Sequence, residues 1–153
     1  MAKQHVTAGA FLEIDLGDGH YAYARILEKA SYAFYDLHSS NKITDLNLIA
    51  RKPILFIIAV YNTAVNSGRW VKIGKKPLEK WLEILPNQFV QDALHPDRYS
   101  LYDPNNGAVI EADRENCVGL ERAAVWEAQH VESRIKDHYA DKPNSWVEQL
   151  RLT

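Results

Sequence analysis

Histidine is the residue type in this chain with the most chemistry to offer, and there are six: His5, His20, His38, His95, His130 and His138. None forms a His-x-His pair or a His-Glu-x-x-His helix signature, spacings that bring two imidazoles to one metal ion. His130 and His138 stand eight residues apart on a helical pattern, two turns along, too far to chelate one ion unaided. His20 and His38 are different. They meet if the strands around them pair, and Asp18 and Asp36 lie close in sequence as oxygen ligands. His20, His38 and Asp36 with a divalent metal make a constellation suited to hydrolysis. The plainer account carries more weight: histidines at strand ends are ordinary surface residues, and the expected reading has no metal and no cofactor.

Other reactive types fare no better. Glu13, Asp15 and Asp18 beside His20 have the chemistry of acid–base catalysts, but Glu13 and Asp15 fall on the polar side of a strand, where solvated carboxylates belong. Cys117 is the only cysteine, so no intrachain disulfide and no cysteine-rich zinc site can form. It reads as a small core residue. Gly17-Asp18-Gly19 lacks the Lys-Ser/Thr of a phosphate loop, and no Gly-x-Ser-x-Gly elbow occurs. A basic strip, Arg69, Lys72, Lys75, Lys76 and Lys80, carries Trp70 and Trp81. Trp81 sits among Leu78, Leu82 and Leu85 and reads as core rather than as a base-stacking platform. A net charge of −2 gives no general attraction to nucleic acid or to an anionic membrane.

The elements that must position these groups follow from periodicity. Leu12, Ile14 and Leu16 alternate with Phe11, Glu13 and Asp15, the period of a strand with one buried face. Gly17-Asp18-Gly19 supplies a tight turn. Strands are expected near 10–16, 20–28 and 32–38, with a turn at residues 28–31, and residues 1–9 form a leader with freedom to fray. Ala22 and Ala24 suit a bent strand or a close crossing. Ile54 to Tyr61, rich in β-branched residues, reads as the most buried strand. Residues 69–76 read as another strand, and residues 78–85 as a short helical turn stopped by Pro86. Residues 98–103 and 108–111 read as a hairpin around Pro104-Asn-Asn-Gly107. From Gly119 the spacing of Leu120, Ala124, Ala128, Val131, Ile135 and Tyr139 predicts one long helix. Asn144 or Ser145 is placed to cap a closing segment. The expected architecture is a single α+β domain over residues 1–153: a strongly curved, mainly antiparallel sheet or partial barrel with a long C-terminal helix packed on it. The N-terminus lacks a signal-like apolar run and the longest apolar run is too short to span a bilayer, so the expected location is cytoplasmic.

The stretch from Gly9 through Leu-Gly-Asp-Gly (16–19) to Tyr23 and Arg25 resembles the opening of the immunity protein 26 family, a family also linked to a HocA-type, coroxon-hydrolysing phosphotriesterase. Residues 32–37, Arg69-Trp-Val71 and residues 120–134 resemble later parts of it. Ala24 stands where the family pattern has Gly, and Glu13-Ile-Asp15 where it has an apolar residue and Pro. The resemblance implies a small protein that binds and neutralises a cognate toxin of a polymorphic or contact-dependent system, its partner a protein rather than nucleic acid or membrane. The alternative it implies is a hydrolase of organophosphate triesters, with His20, His38 and Asp36 as its site. Tyrosine and tryptophan favour interfaces because they bury large area with a polar tip. The expected contact residues are therefore Asp15, Asp18, Tyr21, Tyr23, Tyr35 and Asp36, with Trp70 beyond them.

Overall fold

Strand β1 (Ala10–Asp15), β2 (Tyr21–Ile26) and β3 (Ser31–Ser39) follow one another as an antiparallel meander in the computed structural model, which describes residues 3–153. Gly17 and Gly19 close the first turn at φ +78° and +87°, values that favour glycine. The second turn uses no glycine: Lys29 and Ala30 both sit at φ +56°, and the Ser31 N–H donates to the Glu28 carbonyl at 3.1 Å. The pairing of β2 with β3 shifts register between Ala22 and Ala24, the bulge that those small residues allow.

Three further pairings complete the first sheet. β4 (Ile54–Val60) pairs antiparallel with β3, and β5 (Val71–Lys75) returns to pair with β1. A two-residue strand, β9 (Val125–Trp126), adds in parallel to the end of β4, giving the order β5-β1-β2-β3-β4-β9. A second sheet of three strands holds β6 (Gln88–Gln91), β7 (Tyr99–Tyr102) and β8 (Val109–Ala112), with the expected hairpin as its last pair. The described residues form an α+β fold with two mostly antiparallel sheets, and among them neither sheet closes into a barrel.

The helices are short. α1 (Leu46–Ala50), α2 (Thr63–Asn66), α3 (Lys80–Glu83) and α4 (Arg114–Cys117) are one turn or little more; α5 (Ala128–Tyr139) and α6 (Ser145–Leu150) follow. The expected long helix from Gly119 is thus a 12-residue helix beginning at Ala128. Pairing outside the segment overrides its helical period. Phe89 N–H donates to the Glu121 carbonyl, Ala123 N–H to the Phe89 carbonyl, and β9 ties Trp126 to β4, so residues 121–126 are held extended. Asn144, not Ser145, caps α6, its side chain accepting from the Trp146 and Val147 N–H groups. Among the described residues no helix is long and apolar enough to cross a membrane.

Burial departs from a one-faced sheet. One side of β1–β3 carries Leu12, Ile14, Ala22, Ala24, Ile26 and Phe34, covered by Val131 and Ile135 of α5 and by Trp70. The other side carries Phe11, Tyr23 and Tyr35 beneath Ile49 of α1. Glu13, expected on a solvated face, is consequently buried. β4 is not the most buried strand: Ile54, Leu55, Ile57 and Ala59 are half-buried, and full burial alternates along it on one face only. Trp81, expected as core, is 56% exposed, while Leu82 and Leu85 of the same turn are buried. Residues 3–9 are anchored rather than loose. The Gln4 amide donates to the Val65 and Trp70 carbonyls at 2.9 and 2.7 Å, and Val6 packs on the core. The expected fraying at Met1 and Ala2 lies outside the described residues.

A wholly buried arginine ties these pieces together. Arg25 stacks 4.0 Å from the Phe11 ring centroid and donates to the Gly9, Lys76 and Pro77 carbonyls, to the Tyr35 hydroxyl and to Glu79. Gly9 is required where it stands: a Cβ there would lie 2.3 Å from the Lys76 carbonyl oxygen, and its φ is +91°.

Candidate functional site

The antiparallel register of β2 and β3 sets His38 opposite Ala22, and the first turn delivers His20 to the same end of the sheet. The two imidazoles stack, centroids 4.3 Å apart and planes 14° from parallel. Tyr139, from the last turn of α5, stacks on the far side of His38 at 4.3 Å. Its hydroxyl donates to Asp36 Oδ1 at 2.8 Å. Burial, together with Asp36, drives the Tyr139 phenol up, so it stays protonated and keeps donating. Burial and the neighbouring His20 ring hold the His38 imidazole below its ordinary value, with Asp18 pulling the other way. The result is a rim of three stacked rings flanked by Asp18 and Asp36.

Its fit to a metal is partial. One ligand atom each of Asp18, His20 and His38 falls within 4.8 Å of the others, a donor set of the right type for a divalent transition ion. The rings, however, are nearly parallel, so their in-plane lone pairs run side by side instead of converging on a point. Holding an ion requires turning one ring and losing the stack. Asp36, expected as the oxygen ligand, is engaged by Tyr139, and Asp18 takes its place beside His20. His20 Nδ1 is shielded and has no hydrogen-bond partner among the described residues; Asp18 Oδ1 lies 3.5 Å away.

The expected contact residues divide into two groups. Asp15, Asp18 and Asp36 are exposed and Tyr21 is half-buried, so all four are accessible on the rim. Each acid is also engaged locally. Asp15 accepts from the Gly17 N–H at 2.8 Å, Asp18 from the His20 N–H at 3.0 Å, and Asp36 from Tyr139. Tyr23, Tyr35 and Trp70 are buried and cannot meet a partner docked on the folded surface. Tyr23 accepts from the Ile43 N–H and contacts Glu13. Tyr35 accepts from Arg25. Trp70 donates to Glu132 on α5, which also takes a two-pronged pair from Arg69 at 2.7 and 2.8 Å. These three side chains assemble the sheet and dock the helix.

The model of the family described as immunity protein 26 matches residues 7–100, more than half of the chain. The chain belongs to the immunity protein 26 family. No curated protein and no solved structure matches it. The span matched to immunity protein 26 covers all of β1–β6 and stops within β7, so it includes His20, His38 and the buried Arg25. Tyr139, which completes the rim, lies outside that span, as do β8 and α5. Sequence reasoning placed Tyr139 only on a helix face; nothing local marks a residue that reaches a carboxylate 103 positions earlier. A second region also escaped it. A cavity of about 650 Å³ lies on the second sheet, lined by Asp92, Asp97, Arg98, Glu111 and Asp113. The available signal was charge distribution: fourteen of the twenty acidic residues follow residue 77, whereas ten of the eighteen basic ones precede it.

Proposed function

We propose that this chain is an immunity protein that binds a cognate bacterial toxin of a polymorphic or contact-dependent system and blocks it by occupying its working surface. The observation that carries this reading is membership of the immunity protein 26 family over residues 7–100. The site geometry agrees with a binding role. The rim's acids are committed to turns and to Tyr139, and its two histidines stack on each other instead of aiming at a substrate position. The protein would act in the cytoplasm of the producing cell, where an incoming or leaking toxin is met.

The experiment is co-expression with the toxin-like gene adjacent to this one. Growth rescue together with co-purification of a stoichiometric complex supports the reading. A toxin that stays lethal in the presence of soluble, folded protein overturns it.

A further inference from the structure

Edges of β-sheets are templates for pairing with another chain, and folded proteins guard them with charge, proline, bulges or covering segments. Three of the four edges among the described residues are guarded or minimal. β5 carries Lys72 and Lys75 and is overlaid by the N-terminal segment, its Lys72 N–H donating to Gln4 Oε1 at 2.9 Å. β6 is covered by residues 121–123 through two backbone bonds. β9 has only two residues. β8 carries one charge, Glu111, and no other such device. Its sequence, Val-Ile-Glu-Ala, holds no lysine or proline, its pairing with β7 runs without a bulge, and Val109 and Ile110 are 59% and 62% exposed. Among the described residues no group bonds to its outward backbone. In an antiparallel ladder alternate residues of an edge strand point both N–H and C=O away from their partner, so this row is free to accept a strand.

The face beside that edge has a definite charge. Alternation puts Val90 and Asp92, Arg98 and Ser100, and Glu111 and Asp113 on one side of the sheet, where they line the 650 Å³ cavity with Asp97. Four carboxylates and one guanidinium thus line the cavity. The Asp92 carboxyl is held below the usual range by the His95 and Leu94 N–H groups, so it stays ionised. Glu111 points to this side while Ile110 points to the other.

We propose that β8 is the docking edge for the toxin, and that an extended basic segment of the toxin adds to it as a fourth strand of the second sheet. Apolar side chains of that segment cover Ile110, and the alternating Lys or Arg side chains reach Glu111 and the acidic cavity. The assignment rests on the immunity reading above and names its partner surface: main-chain bonds supply affinity and the cavity supplies selection for positive charge.

The test uses the full chain and the toxin domain encoded next to it. Ile110→Lys places a charge on the edge, and Glu111→Lys replaces one of the cavity's four carboxylates with a cation; both sites are exposed, and thermal melts confirm folding. Glu28→Lys makes the same charge change on the exposed turn between β2 and β3. Expected results are binding at least about thirtyfold weaker for Ile110→Lys and about tenfold weaker for Glu111→Lys, with Glu28→Lys close to wild type. Hydrogen exchange at residues 109–113 should slow in the complex. If wild type binds and rescues growth but the β8 variants do so equally well, or if Glu28→Lys weakens binding as much as they do, the edge assignment fails while the immunity reading stands. If wild type neither binds nor rescues, both fail. A self-dimer that Ile110→Lys abolishes would give the edge to a second copy and likewise overturn the assignment.

Discussion

Replacing Arg25 by methionine tests how the fold is held at its centre. The guanidinium has no solvent exposure and serves five groups: three carbonyl oxygens, the Tyr35 hydroxyl and the Glu79 carboxylate. Methionine keeps much of the stem packed on Phe11 but removes every donor. Each buried carbonyl left without a partner costs about 1–3 kcal/mol, and removing one side of a buried charged pair costs about 3–5 kcal/mol. Part is returned because the guanidinium is no longer desolvated, and water reaches Glu79, whose side chain is 35% exposed. A net loss of about 3–5 kcal/mol follows, a large share of the ~5–15 kcal/mol that stabilises an ordinary domain. Urea denaturation followed by tryptophan fluorescence measures it. Glu79→Gln, which leaves the three carbonyl bonds in place, should cost about 1 kcal/mol or less. An Arg25→Met midpoint within about 1 kcal/mol of wild type, or a larger loss for Glu79→Gln, would refute the hub.

Three further outcomes follow from local geometry. His38 is held below its ordinary value of 6.5 in the folded chain, so the unfolded chain binds the proton first. Its contribution is therefore full above pH 6.5 and is lost as pH falls through the folded value; His38→Phe, which keeps a ring in the stack, should flatten that acid slope in urea midpoints measured from pH 5 to 8, and an unchanged slope would assign it to another group. Ala30 sits at φ +56°, so Ala30→Gly should raise stability by about 0.5–1 kcal/mol despite the added freedom of the unfolded chain, read as a higher melting temperature. Cys117 is buried, and burial pushes its thiol up, so a disulfide reagent should label it only at the rate of unfolding; prompt labelling of the native protein would contradict its place in the core.

Much of the first sheet was legible because period-two alternation and Gly17-Asp18-Gly19 report directly on backbone geometry. The approach of His20 to His38 was legible for the same reason, since antiparallel strands joined by short turns must bring them together. What sequence could not carry was cover. Phe11 lies on what reads as the solvated side of β1 until α1, more than thirty residues on, is laid over it. Residues 120–127 have helical spacing, and only pairing with Phe89 and β4 draws them straight. Trp81 has the company of a core residue but points out, because a single turn of helix can bury only one side. The exposure of β8 was invisible for a related reason: a hairpin signal says that two strands pair, not which of them lacks a third.

The order in which the chain leaves the ribosome meets a difficulty in the docking of α5. All strands from β1 to β5 lie within residues 10–75, so the five-stranded part of the first sheet can pair as soon as Lys75 has emerged. One of its faces, with Leu12, Ile14, Phe34 and Trp70, is closed by α5, and the Glu132 carboxylate that Trp70 and Arg69 grip is made 62 residues after Trp70. At synthesis rates of roughly 5–20 residues per second, that face stands bare for about 3–12 s in every molecule made. Nascent chains stalled before Ala128 should accordingly bind chaperones that full-length chains have released.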